Sequence, residues 1–436
     1  MQARDRSPAA VDWDSVRAQF PVTRDYLYFD LANKCPLPLF STAALADYVD
    51  KQQRSGGDKA EWFATIESAR GRFATLINAH PDEIAFTKNT SEGLNIAANC
   101  LPLSAGDTVI LNQYEHPNNV YCWLNLERRG VRVKWIGGGA AGGATDAGGS
   151  ATGGGATEGG ASTGGGAAEG AGGDGGLVTV DMIDSVADET TKVVAISSTT
   201  YAPGTRNDIE SIVRYCRDRG IYTVVDAVQS VGTLDVDVKA LGMDILCTSA
   251  HKSLFCPHGI GVFYARPEVR DLLDPVYVAR AGMGMAAQIE YGQISYTLDQ
   301  SNNAKKFEIG NHNYLGLTVL DASLAYLLAL GMPNVEARLI DLNAYLVQRL
   351  TGAGYRVVSP ADGPWRSAIV CFRARTDAQS ARDLHGYLER NGAITTLRRD
   401  TIRASLGIYN NESDIDRLVD LLRRYGTESA EPSEAR

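Results

Sequence analysis

The chain of 436 residues has only seven cysteines, an odd number, and no Cys-x-x-Cys pair. That argues against a disulfide framework or a structural zinc site and favours a reducing compartment. No metal site is expected. A membrane-spanning run is also missing, because the longest apolar stretch, Tyr314 to Met332, is broken by Asp321 and rich in small residues, as in a buried helix. The opening residues, Met-Gln-Ala-Arg-Asp-Arg-Ser-Pro, lack the apolar core of a secretory signal. A soluble, cytoplasmic protein is expected. Positive charge is in deficit, with 42 Lys and Arg against 52 Asp and Glu and a net charge of −10. Nucleic acid and anionic membrane are therefore poor partners, and small-molecule chemistry is favoured.

Gly137 to Gly176 has no large apolar side chain. Such a segment cannot bury enough surface to offset its ordering entropy and is expected to be a disordered surface loop, a tolerated expansion. Around it, apolar strands alternate with helices. Glu83 to Thr87 precedes a helix opening at Thr90, Thr108 to Leu111 one near Asn119, and Lys192 to Ser197 one near Asp208. This alternation predicts an α/β fold with a mainly parallel sheet covered on both faces. After Ala265 the pattern changes to helical periodicity over 317–330 and 335–350, then short strands at 355–358 and 368–372. A smaller α+β C-terminal domain follows from that change.

The most informative residues lie in the middle of the chain. Tyr222-Thr-Val-Val-Asp226-Ala-Val-Gln229 is followed by Met243-Asp-Ile-Leu-Cys-Thr-Ser249-Ala-His251-Lys252-Ser253. An acid and a lysine thus stand just past the ends of two apolar strands, where ligands sit in open α/β sheets. The lysine suits a Schiff base, and the acid suits the pyridine nitrogen of pyridoxal 5′-phosphate, which a carboxylate keeps protonated. Asp-Ala-x-Gln followed by Ser-x-His-Lys resembles the class V aminotransferase family of pyridoxal phosphate enzymes, which includes cysteine desulfurases, selenocysteine lyases and isopenicillin N epimerase-like proteins. The resemblance extends from about Trp13 to Leu422.

The resemblance implies fold type I of these enzymes. Residues 1–24 would pack with the small domain, 25–275 form the large cofactor-binding domain containing the 137–176 loop, and 276–315 form an active-site and dimer-interface segment. The small domain would be 316–426, with a disordered tail at 427–436. The resemblance assigns Lys252, His116 and Asp226 catalytic roles and implies that His116 stacks on the cofactor ring. Thr90 and Ser91, in Lys88-Asn-Thr-Ser-Glu-Gly93, match the family's phosphate cup. They are also natural caps of the helix that they open. Gln229 matches a position bonding the cofactor's phenolic oxygen, and Ser249 and His251 match phosphate-holding positions. Arg403, in Arg-Ala-Ser-Leu-Gly-Ile-Tyr-Asn410, matches the grip on the substrate carboxylate, a role that a guanidinium fills bidentately. Asn311, in Phe307-Glu-Ile-Gly-Asn311, matches a residue that reaches the neighbouring subunit's phosphate, which implies a homodimer with shared sites. Tyr201 departs from the desulfurase pattern, where Asn is usual, and is left to contact either the ring oxygen or the substrate.

The expected activity is that of an aminotransferase acting on a small amino acid or amine. A lyase cleaving a Cβ–S or similar bond, or an epimerase, is the alternative, and a cofactor-binding scaffold without turnover is a reading of another class. Residues 391–400, Asn-Gly-Ala-Ile-Thr-Thr-Leu-Arg-Arg-Asp, contain no Cys ahead of Arg403, whereas desulfurases carry a nucleophilic thiol there. The nearest upstream candidate, Cys371, lies in an apolar run. The expectation is that the chain is not a persulfide-forming desulfurase.

Overall fold

In the computed structural model, residues 11–137, 176–284, 298–373 and 378–428 are described. The expectations for 138–175, and for the tail beyond Glu428, lie outside them. Seven strands form the main sheet: β1 (Ile84–Thr87), β2 (Thr108–Asn112), β3 (Arg132–Ile136), β4 (Thr191–Ser197), β5 (Tyr222–Asp226), β6 (Ile245–Ser249) and β7 (Gly261–Ala265). Their order is β1-β7-β6-β5-β4-β2-β3. The pairs β2/β3, β2/β4, β4/β5 and β5/β6 are parallel, whereas β7 runs antiparallel to both neighbours. Strands β1, β2, β6 and β7 are buried along their whole length, as expected of a sheet covered on both faces.

Helices cover this sheet for local reasons. Thr90–Cys100 is capped by Asn89, whose side chain accepts from the Glu92 N–H at 3.0 Å. Asn89 therefore does the capping expected of the Thr90 and Ser91 hydroxyls, because it stands one position ahead of the first helical residue, where a side-chain oxygen meets the N–H of the third. Ile209–Asp218 is capped in the same way by Asp208. The long helices Tyr314–Leu330 and Met332–Gly352 bury Leu317, Leu320, Leu324, Leu327, Leu339 and Leu346. Among the described residues no single helix is long and apolar enough to cross a membrane.

The second layer is a four-stranded antiparallel sheet of β8 (Arg356–Val357), β9 (Ile369–Arg373), β10 (Thr396–Arg398) and β11 (Thr401–Ser405), in the order β10-β11-β9-β8. Its register opposes Cys371 and Thr396 to Arg403 from either side. Since strand neighbours alternate faces, Leu397, Ile402, Ala404, Val370 and Phe372 share one face and join the main core. The other face carries Thr396, Arg398, Arg403, Ser405, Cys371 and Ile369. The N-terminal helix Trp13–Ala18 is tied to Glu412–Glu428 by Arg17, whose guanidinium bonds Asp414 at 2.6 Å and the Tyr409 carbonyl at 2.5 Å.

Candidate active site

The topology makes an opening at the carboxyl ends of the parallel strands. The chain leaves β2 toward β3 and returns on the opposite side as β4, so the connections after β2 and β4 diverge and leave a crevice between them. Asp226 is the last residue of β5, and its carboxylate is buried, accepting from the Val228 N–H at 3.0 Å. Burial pushes this carboxyl well above the usual range, Glu115 adds to the rise, and the Val228 N–H and Lys252 oppose it.

Lys252 follows β6 on a turn held by Ser253, whose hydroxyl donates to the Val231 carbonyl at 2.6 Å. Gly232 permits the approach, because it has a φ of +90° and a Cβ there would lie 2.6 Å from the Ser253 carbonyl oxygen. Among the described residues, the Lys252 amine has no hydrogen bond and no ion pair. Burial lowers its pKa, Asp226 opposes that, and Arg403 and Arg398 lower it further. The two residues expected to form one site therefore act on each other electrostatically.

His116 stands on the turn after β2. Its ring packs edge-on to Tyr201 at 5.2 Å, and Nδ1 accepts from the Asn118 N–H at 3.2 Å. Burial lowers its pKa first, then Lys252, Arg398 and Arg403, so the imidazole is neutral at neutral pH. Gln229 is buried and donates to the Ala32 carbonyl at 3.0 Å, which uses one of its amide protons. Ser249 closes β6, and the His251 ring stacks on His258 at 4.3 Å, with burial and Lys252 pushing it down to about 4.

Arg403 comes from the small sheet. Its Nη1 donates to the Tyr201 carbonyl at 3.0 Å and Nη2 to the Thr396 hydroxyl at 3.3 Å, while Asp30 lies 3.7 Å away. Its Nε is buried without a partner. Burial, then Arg398, lowers the guanidinium to about 10. Tyr201 thus contacts both His116 and Arg403. Asn311 is exposed on the loop after Glu308, outside this cluster in a single chain. That loop is anchored by Glu308, which accepts from Arg70 at 2.6 Å, the Phe86 N–H at 2.8 Å and His312 at 2.8 Å.

Sequence reasoning missed two parts of the site. Glu115 is buried and bonded by the Asn112 amide, by Asn119 at 2.8 Å, and by the Ser197 N–H and hydroxyl at 2.7 and 2.5 Å. It thereby fastens β2 to β4 beneath the crevice, and burial raises its pKa despite those donors. Its place beside His116 was the available signal. Arg398 was also passed over, although Leu397-Arg398-Arg399 is a short cationic run.

These residues fit pyridoxal phosphate. The Thr90 hydroxyl is buried without a partner at the first turn of an eleven-residue helix, which suits a phosphate oxygen. Gly261 lets β7 approach the loop before it, since a Cβ there would fall 2.5 Å from Asn89. The Asp226 carboxylate suits a pyridinium N–H, and the partnerless Lys252 amine suits an aldehyde.

The model of the family Aminotransferase class-V matches residues 42–146 and 171–418. A probable cysteine desulfurase of Methanothermobacter thermautotrophicus is 30% identical over 328 residues, 74% of this chain and 72% of its own. An apo cysteine desulfurase of Thermococcus onnurineus has a TM-score of 0.80 at 22% identity, covering 97% of this chain and all of its own. A C-DES mutant with glycine covalently linked to its pyridoxal phosphate has a TM-score of 0.78 at 20% identity, covering 93% and 98%. The two proteins named as desulfurases overturn the exclusion drawn from the absence of Cys before Arg403. The physical reason is that distance in sequence is not distance in space, for Cys371, thirty-two positions upstream of Arg403, is its direct cross-strand neighbour. The fold is fold type I, and the chain belongs to the class V aminotransferase family, whose cofactor is pyridoxal 5′-phosphate.

Proposed function

We propose that this chain is a pyridoxal phosphate enzyme acting on an α-amino acid, with Lys252 as the amine that bonds the cofactor's aldehyde carbon. The observation carrying this reading is the Lys252 amine on the turn after β6, without a hydrogen bond among the described residues and lowered in pKa by burial, acted on by the opposing charges of Asp226 and Arg403. When bound, the cofactor supplies an aldehyde for the substrate amine and a pyridinium ring that accepts the electron pair of the bond broken at Cα. Asp226 holds the proton on the ring nitrogen. The first-turn N–H groups of Thr90–Cys100, with Thr90, Ser91, Ser249 and His251, would hold the phosphate. His116 would pack against the cofactor ring, and Gln229 would bond its phenolic oxygen. Arg403 grips the substrate carboxylate by exchanging its weaker contacts for a bidentate pair. Lys252 would move the proton at Cα, for which its lowered pKa suits it near neutral pH.

Cleavage at Cβ–S is the first reading, because relatives covering most of the chain are named cysteine desulfurases. Cys371 is the thiol on the Arg403 face. Burial pushes it to about 12, with Arg403 drawing it back toward the thiolate. Transfer of the amino group is the second reading, supported by the family's name. Two copies sharing sites through Asn311 complete the proposal. Support comes from the exposed Ile309 beside that residue and the exposed Tyr277, Val276 and Leu298 in the same region of sequence.

Borohydride reduction of purified protein followed by peptide mapping should leave a pyridoxyl group on Lys252, and a mark on another lysine would end the reading. Given cysteine without a keto acid, the enzyme should release sulfide or carry sulfur on Cys371. Consumption of cysteine only when a keto acid is added would instead establish transfer.

A further inference from the structure

Four donors converge on the buried Glu115 carboxylate. Its Oε1 accepts from the Ser197 N–H at 2.7 Å and from the Asn112 amide, while Oε2 accepts from the Asn119 amide at 2.8 Å and the Ser197 hydroxyl at 2.5 Å. Both amides are fixed in orientation from their far sides, because the Asn112 oxygen accepts from the Tyr114 N–H at 2.8 Å and the Asn119 oxygen from the Trp123 indole at 3.4 Å. Three of the four donors are therefore N–H groups that cannot turn into acceptors. A carboxylate, which only accepts, matches them. Glu115, Asn112, Asn119 and Ser197 are all buried.

This shell reaches both residues assigned to the cofactor ring. His116 follows Glu115 directly on the turn after β2. Ser197 ends β4 and is the register partner of Asp226 at the end of β5, whose carbonyl accepts from the Ser198 N–H at 2.9 Å. The ladder between β2 and β4 stops at Ile110 and Val194, so Leu111 and Asn112 are not paired with the segment from Ala195 to Ser197. Glu115 spans that gap. It is the side chain that ties the two strand ends together where the crevice opens between them. Its charge also acts on Asp226, in the direction that favours a proton there, against the charge of Lys252.

We propose that Glu115 is a positioning residue for the cofactor, a carboxylate brace that holds the His116 turn and the Asp226 strand end at one separation, so that ring face and ring nitrogen are engaged together. This rests on the assignment of His116 to the ring face and of Asp226 to the ring nitrogen. Glu115 is enclosed by its own donors and acts through those two side chains. Glu115→Gln keeps the shape of the brace but sets an NH2 group in place of one oxygen. On either side that group meets an N–H donor, so one contact of the shell becomes repulsive.

The test is a titration of the full chain with pyridoxal phosphate, read by fluorescence, in two backgrounds: wild type and the double variant His116→Ala, Asp226→Asn. Glu115→Gln should weaken cofactor binding about tenfold in the wild type and less than about twofold in the double variant, because coupling of that size arises between residues that share one network. A residue that only stapled the fold would weaken binding equally in both. Equal losses in the two backgrounds, or no loss in the wild type, would overturn the proposal. Ser197→Ala removes one of the four donors and keeps the backbone N–H, so it should give a smaller loss with the same dependence on background. It carries the test if Glu115→Gln does not fold, which melting of the cofactor-free proteins decides. Visible circular dichroism of the bound cofactor, which reports how the ring is held, should fall in Glu115→Gln at saturating cofactor, and an unchanged spectrum would count against the brace. The borohydride mark on Lys252 of the wild type, taken from the same preparations, separates failure of this inference from failure of the cofactor assignment.

Discussion

Asp226→Asn should weaken the cofactor and strengthen the protein without it. The carboxylate is buried, with one backbone N–H as its hydrogen-bond donor, and its pKa is raised chiefly by burial. In the cofactor-free protein, a raised acid pKa means that the folded state holds the proton more tightly than the unfolded chain. The associated stability is fully present below the unfolded value of roughly 4 and is lost as pH rises through the higher folded value. At pH 8 the folded protein bears the full cost of the buried charge, about 1.4 kcal/mol for each tenfold difference in proton affinity between the folded and unfolded chain. Asparagine removes the titration, so the cofactor-free variant should melt higher than wild type at pH 8 and show little advantage at pH 4. With cofactor the order reverses. A charge-assisted bond to the ring nitrogen contributes about 1.5–3 kcal/mol, and its loss should raise Kd about 10- to 150-fold. Differential scanning fluorimetry at the two pH values, with a fluorescence titration of cofactor, measures both effects. A variant that melts lower than wild type at pH 8 without cofactor, or that binds cofactor as tightly, would refute the reasoning.

Arg403→Lys should raise the KM for substrate about tenfold or more, since an ammonium cannot keep a bidentate pair, while cofactor affinity changes far less. Unchanged steady-state kinetics would mean that the carboxylate is held elsewhere. Glu308→Gln should cost about 1–3 kcal/mol by removing the closer of the two carboxylates paired with the buried Arg70, Glu67 and the Ile84 carbonyl remaining, measured as a fall in the urea midpoint at pH 7. Burial opposes ionisation of Glu308, but Arg70 and then His312 outweigh it and hold the carboxyl down to about 2. Its contribution is therefore present above an unfolded value of roughly 4.3 and lost as pH falls from there. The variant should lose less stability than wild type between pH 5 and pH 3, and parallel pH curves would count against that assignment.

The sequence by itself determined the fold class, the family and the family's cofactor, because those depend on local patterns. Asp226 and Lys252 stood out since Asp226 closes one short apolar strand and Lys252 lies on the turn just past the end of the next, and the position of a strand end is set by a few adjacent residues. Thr90 was legible because it opens a helix, although the cap itself proved to be Asn89. What only the tertiary structure decided depends on pairs far apart in the chain. Ser197 reaches Glu115 across 82 positions, and Arg403 reaches Asp30 and the Tyr201 carbonyl over still longer separations. Cys371 was judged by its apolar neighbours in sequence, yet antiparallel register set it opposite Arg403. Arg398 was passed over within a short cationic run, and only the register of β10 against β11 puts it on the face that carries Arg403. Strand register is fixed by the burial of whole faces, so the side chains that share an opening are chosen by packing across the sheet and not by spacing along the chain.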